Sequence, residues 1–474
     1  MPMNRGTALK ALGVLALATP MIAFAVSWLV PAWDPMIMAF NAHFYAVGFT
    51  ALAAAVACAV VIGSAQTLQN TRLLFLGVGF FAVAGIFSVH GLATPGFIAD
   101  EYYVSVSVSS WLSAALGSTF VALSVAPLPH RVDHAIARSG QYVFIVAAAA
   151  IFAYITISMT AEAWLDWVPI QNRNVQLPLG LSSLALVAFA SWRYFQAYQF
   201  ARLPSQLAMV AALILLGEVQ AIILWGRVWH LSWWYYHGLY AVVFLVLFAG
   251  WALEVRRAGT LRAIADALSM RDALAQLNRG LEAPILRLVE AIEIKDQETF
   301  GHVRRVSAHA LAIGRRLGLT AGELRSLVVA AEMHDVGKIS VPASLLAKPG
   351  PLTEEEFAVI KTHTTRGHEI AQQVPALRDL ADVVRSHHER VDGSGYPQGL
   401  KGDEIPLLAR IVAVADTYDA MTSKRPYRPA RSHLEAMGEI VQAKGVTLDA
   451  RCVDALVAVF AEPGTRSNAE LLAA

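Results

Sequence analysis

The sequence predicts an all-α chain in three parts: an eight-helix transmembrane bundle, a helical connector and a second, wholly helical domain. Two observations carry the first part. The 474 residues are 56% hydrophobic and only 15% charged, whereas about a quarter of the residues in a soluble domain are charged. The charge is also displaced, with long apolar runs up to Leu253 and dense charge from Glu254 onward. A third observation carries the rest: beyond Ala283 the apolar residues recur at helical spacing, and no convincing run alternates as a half-buried strand would. The boundaries read as 1–253 for the membrane domain, 254–284 for the connector and 285–474 for the second domain. A net charge of +1 gives no reason to expect a nucleic-acid polymer as partner.

A helix crosses the hydrocarbon core with about 20 apolar residues. Runs of that kind centre near Ala18, Ala53, Val83, Ala114, Ala148, Val187, Leu215 and Leu245. The first, from Ala11 to Val30, is longer than the apolar stretch of about 7–15 residues in a secretion signal and is read as a retained span. Basic residues mark alternate loops: Arg5 and Lys10, Arg72, Arg131 and Arg138, Arg193 and Arg202, then Arg256 and Arg257, while the other loops are acidic except for Arg173 and Arg227. Because such residues favour the cytoplasmic side, both ends are expected in the cytoplasm and the chain in the inner, cytoplasmic membrane as a multi-pass protein. Cys58 and Cys452 fall in different environments, so no disulfide is expected.

This topology gathers His43, His90, His230 and His237 near the outer face. Together they are a candidate sensor that binds a metal or haem, or titrates near neutral pH. The alternative is that they belong to an interfacial belt beside Trp225, Trp229, Trp233, Trp234, Tyr235 and Tyr236. Glu218, within LLGEVQAII, is a second sensor candidate, since acids near the bilayer centre are costly and face a bundle interior. A protonated structural donor is the competing reading of Glu218.

In the connector, Leu261 and Leu268 are seven apart, and so are Leu274 and Leu281. That repeat suits either a dimer stalk or a plain amphipathic linker helix, and Pro284 should kink or restart it.

The second domain holds Glu298 and His302 in ETFGH, His334 and Asp335 in MHDVGK, His363 in KTHTTRG, His387 and His388 in SHHER, and Asp416 in VADTYDA. Imidazoles suit Fe, Mn, Zn or Ni, and shared carboxylates suit more than one ion. Glu298 and His302 are four apart, so a helix there places both on one face.

HDVGK, LLAKPGPLTEEE, HHERVDGSGYPQGL and RIVAVADTYDAMTSKRPYR occur in that order, and over about Ile285 to Phe460 the chain resembles the HD-GYP family of metal-dependent phosphohydrolases. The resemblance implies an all-α domain with two or three divalent metals, usually iron or manganese, that hydrolyses cyclic di-GMP to pGpG and/or GMP. It assigns His302, His334, Asp335, His363, His387, His388 and Asp416 as metal ligands, with Glu298 helping at a third metal. It makes Asp335 and Lys338 the catalytic pair, and Lys338, Arg425 and Arg428 the substrate contacts. Gly395, Tyr396 and Pro397 form the motif loop, expected to shape the substrate mouth or to meet a GGDEF-type partner, with a purely structural turn as the alternative. A homodimer is expected, and a non-catalytic cyclic dinucleotide receptor is the competing function. Ala343 departs from the pattern, standing where the family commonly has an aspartate.

Overall fold

A computed structural model of the chain describes residues 5–95, 103–269, 283–295, 301–348, 350–423 and 430–461. Among them the structure is helical, with no strand beyond three isolated bridges. Chain contacts divide it into two compact units, Met1–Tyr198 with Arg202–Arg271, and Gln199–Ala201 with Asp272–Ala474.

The first unit contains α1 (Arg5–Leu29), α2 (Phe40–Leu68), α3 (Thr71–Leu92), α4 (Val104–Val125), α5 (His130–Arg138), α6 (Gly140–Thr160), α7 (Arg173–Ala201), α8 (Pro204–Trp225), α9 (Leu231–Ala258) and α10 (Arg262–Ser269). Seven described helices, α2 to α4 and α6 to α9, are long and apolar enough to cross a membrane. The expected count of eight is not reached, because the described apolar part of α1, Leu15–Leu29, is shorter. The short amphipathic α5 interrupts a loop that the sequence reading left open. α3 and α8 are the most enclosed spans, whereas Ile145, Val146 and Phe152 of α6 stand exposed, which suits hydrocarbon as well as it would suit another apolar helix. α3 and α4 approach closely where both lack side chains: a Cβ on Gly79 would lie 3.1 Å from Phe120, and one on Gly117 3.0 Å from Val83.

α9 ends at Gly259, whose φ of +76° is left-handed and suits glycine. The chain then turns back, and α10 buries Ala263, Ile264, Ala265, Ala267 and Leu268 against α2, α3, α8 and α9. Residues 262–269 are therefore part of the bundle and not of a stalk; Leu274 and Leu281 lie outside the described residues. Cys58 and Cys452 are free and buried.

In the second unit, helices His302–Arg316, Ala321–Met333, Leu407–Thr422, His433–Ala443 and Ala450–Ala461 surround a core that includes Val306, Ile313, Leu327, Ile411, Val414 and Leu456. Thr320, Thr353 and Ser432 each open a helix with a reciprocal capping box to Glu323, Glu356 and Glu435, satisfying backbone donors that a helix start leaves unpaired. The starts at Thr320 and Thr353 open the helices that lead to His334 and carry His363 in the polar cluster described next.

Candidate metal centre

Five segments of the second unit deliver eight side chains to one place. His302 is the first residue of its helix, set by Gly301 at φ +78°. The helix begins there; Glu298 lies outside the described residues. His334 and Asp335 follow the end of Ala321–Met333, and Lys338 sits on the 3₁₀ turn Val336–Ser340. His363 is midway along Glu354–Gln373, His387 and His388 follow Ala381–Ser386, and Asp416 lies on Leu407–Thr422.

Ligand-type atoms of Asp335, His363, His387 and His388 lie within 4.8 Å of one another, as do those of His302, His334 and Asp335. Asp335 belongs to both groups, with Oδ2 at 3.3 Å from His334 Nε2 and Oδ1 at 3.5 Å from His363 Nε2. Asp416 Oδ1 is 3.4 Å from His302 Nε2. Both members of the His387–His388 pair fall in the same group.

The ring orientations show what the cluster accepts. Nδ1 of His334, His363 and His387 each faces the carbonyl three residues earlier, Ala331, Ile360 and Val384, at 2.7, 2.7 and 2.6 Å. A carbonyl only accepts, so each Nδ1 bears hydrogen; the neutral rings of His363 and His387 then turn a bare Nε2 inward, while Nε2 of His334 faces Asp335. The bare Nε2 atoms of His363 and His387 face each other at 3.3 Å, an arrangement that a cation between them stabilises. His302 is held differently: its Nδ1 donates to Asp419 Oδ2 at 2.7 Å. Arg305 donates to Asp419 Oδ1 at 2.6 Å and to Oδ2 at 3.1 Å. Partners of this kind fix the tautomer and aim of metal-ligating rings.

The electrostatics agree. Burial favours the neutral form of Asp335, but Lys338 at 2.9 Å, His334 and His363 outweigh it and hold the carboxyl well below its usual range. Burial also disfavours a charge on His334, yet Asp335 and Asp416 lift its pKa to about 9; the same pull would favour a metal cation. Burial, reinforced by His363 and Arg390, takes His388 down to about 3, leaving an imidazole free to act as ligand. The donor set therefore fits divalent transition metals.

The motif loop is built against this cluster. Gly395 packs so closely on the backbone of Glu389 and Arg390 that a Cβ would lie 2.5 Å from Glu389 Cα. The buried Glu389 carboxylate accepts from the backbone N–H groups of Gln398 at 2.7 Å and Leu400 at 3.1 Å. Tyr396, which precedes Pro397 through a cis bond, puts its ring centroid 4.8 Å from that of His388. Lys361 Nζ lies 5.7 Å from the Tyr396 centroid. Arg425 and Arg428 lie outside the described residues, and Ala343 is exposed at the start of Ala343–Leu346.

The sequence reading missed Asp419, Glu389 and Lys361. Asp419 was the most accessible of these, because it follows Asp416 by three residues in DTYDA and so shares its helix face.

In the first unit, His43, His90 and His237 come together, but His230 does not. Its Nδ1 faces the Asp34 carbonyl at 2.6 Å, in a network where Asp34 also accepts from Ser232. Glu218 lies on α8, partly exposed, outside the histidine group.

Residues 287–452 match a family model described as HD domain. The chain is 46% identical over 173 residues to a Xanthomonas campestris pv. campestris protein named cyclic di-GMP phosphodiesterase response regulator RpfG, covering 36% of this chain and 46% of that one. It is 42% identical over 167 residues to a Thermotoga maritima protein named cyclic di-GMP phosphodiesterase, covering 35% and 45%. It is 34% identical over 175 residues to a Vibrio cholerae protein named 3'3'-cGAMP-specific phosphodiesterase 2, covering 36% and 34%. The chain thus spans less than half the length of each of these relatives.

Proposed function

We propose that the chain is a membrane-anchored, metal-dependent phosphodiesterase of the HD-GYP type that hydrolyses cyclic di-GMP to pGpG and/or GMP under control of its membrane domain. The observation that carries this reading is the double cluster sharing Asp335, in which histidine rings are locked by their Nδ1 hydrogens with Nε2 turned inward. His302, His334, Asp335, His363, His387, His388 and Asp416 would hold two divalent metals, iron or manganese, with Glu298 reaching a third. Metals there supply Lewis-acid polarisation of a phosphodiester and a lowered pKa for water.

The residues' own work is positioning and charge. Asp419 keeps His302 aimed inward, and Glu389 fixes the loop that carries Tyr396. Lys338, paired with Asp335 at 2.9 Å, has an ammonium available to a phosphate oxygen in the transition state. Lys361 adds positive charge beside the loop, and Arg425 and Arg428 would grip a phosphate bidentately. The loop from Gly393 to Pro397 is also the surface we assign to a GGDEF-type partner, and the assembly is proposed as a homodimer in the inner membrane with this domain in the cytoplasm.

The test is hydrolysis by the anaerobically purified, metal-assayed full chain beside a His334→Ala, Asp335→Ala variant. Turnover of cyclic di-GMP that requires metal and both residues supports the proposal. Tight binding without turnover under iron or manganese would replace it with a receptor. Because a relative is named for 3'3'-cGAMP, that dinucleotide is the necessary competing substrate.

A further inference from the structure

His43, His90 and His237 are 0%, 2% and 1% exposed. They sit within about two turns of one end of the bundle, near the start of α2, the end of α3 and the start of α9. Their Nε2 atoms form a triangle with sides of 3.0 Å (His43 to His90), 2.9 Å (His43 to His237) and 3.3 Å (His90 to His237).

Two of the three tautomers follow from the hydrogen bonds. His90 Nδ1 faces the Val106 carbonyl at 2.7 Å, so it carries hydrogen. Thr94 donates its hydroxyl hydrogen to the His90 carbonyl at 2.7 Å, and its oxygen therefore accepts from His43 Nδ1 at 3.1 Å. Both neutral rings thus present bare Nε2 lone pairs to each other. A metal-free arrangement has His237 Nε2–H donating to His43 and the Tyr236 hydroxyl donating to His90 Nε2 at 3.0 Å. It still leaves the His43 and His90 lone pairs opposed at 3.0 Å, and the rings sit in an aromatic shell with Trp233 stacked on His43 at 5.1 Å.

We propose that His43, His90 and His237 form a second metal site, binding one late first-row transition-metal ion through three Nε2 atoms with a fourth position left open. Three nitrogens so spaced lie on a circle of about 1.8 Å radius. With metal–nitrogen bonds of about 2.0–2.1 Å the ion stands about 1 Å off their plane, the base of a tetrahedron. Imidazole-only ligation suits zinc or copper, and its neutrality favours Cu(I) where the dielectric is low, because the cost of burying an ion rises steeply with its charge. A cavity of about 740 Å³, lined by His43, His90, Tyr236, Trp229, Trp233 and Arg173 among others, adjoins the cluster. It provides an entry path and space for an exogenous ligand. His230 is excluded, being committed to Asp34.

The experiment uses the full chain in nanodiscs, stripped of metal and titrated with Zn(II), or anaerobically with Cu(I), with bound ion counted by mass spectrometry. Wild type should retain one equivalent more of at least one of the two ions than His43→Ala, His237→Ala, and X-ray absorption should show that ion on three nitrogens. His230→Ala should match wild type. Equal uptake by wild type and the double variant overturns the site. A milder variant covers a double variant that does not fold: Thr94→Val, which removes the acceptor that aims His43, should weaken the affinity at least tenfold, with Thr94→Ser restoring it. Unchanged affinity in Thr94→Val overturns the proposal equally.

Discussion

Asp419 shows how much of the second unit's candidate metal centre depends on a residue that need not touch a metal. It joins His302, Arg305 and Ser423 at 2.7, 2.6 and 3.1 Å. Asp419→Asn keeps the shape but weakens the hold on the His302 tautomer, so metal affinity should fall about 10–100-fold, read by competition with a chromophoric chelator. The same carboxyl predicts an acid limb. Burial raises its pKa, but hydrogen bonds from His302 and Arg305 prevail and hold it at about 2, below the unfolded value of about 3.9. Its contribution to stability is therefore complete above about pH 4 and lost as pH falls towards 2. Urea unfolding of the metal-free protein should show that acid limb flattened in Asp419→Asn. The clustered His and Asp side chains themselves were legible because they lie inside long ordered motifs. Asp419, Glu389 and Thr94 were not, because a residue that orients another is defined by contacts across the fold, 117 positions apart for Asp419 and His302.

At the scale of elements, apolar run length located the seven described helices that are long and apolar enough to cross a membrane, since crossing hydrocarbon imposes a length that sequence alone displays; the eighth expected span, on α1, falls short of it over its described part. It did not reveal that α10 folds back. The turn rests on the left-handed Gly259, and a leucine repeat looks the same whether it faces a second chain or its own bundle. In the second unit the 3₁₀ turn that follows Asp335 touches helix Glu354–Gln373 without side chains: a Cβ on Gly337 would overlap the His363 carbonyl and approach Gly367 N to 2.5 Å. This contact sets the spacing between Asp335 and His363. Gly337→Ala should cost at least the about 1–3 kcal/mol of an overpacked core, measured by urea unfolding. It should also lower metal occupancy, because neither backbone can yield without moving a ligand. Full stability with full occupancy would show that the approach is not needed.

For the whole molecule, the three helices that bring His43, His90 and His237 together are α2, α3 and α9, and the same three also pack against α10. The histidines lie at one end of these helices, whereas α10 follows the other end of α9, about 30 Å farther along a helix rising 1.5 Å per residue. An ion tying the three helices at the first end selects one packing of them, and α10, with Ile264 and Leu268 buried among them, must follow that packing. A ligand shifts an equilibrium only by its differential affinity for the two states, so the response should be a change in rate rather than an absolute switch. Loading the tri-histidine site should alter the cyclic di-GMP hydrolysis proposed for the full chain about fivefold or more, the lower range of ordinary coupling. Leu268→Ala should leave ion uptake at the histidines intact while abolishing that response. If Leu268→Ala responds as wild type does, coupling does not pass through α10. If wild type itself shows no response while taking up the ion, the tri-histidine site serves the membrane domain alone.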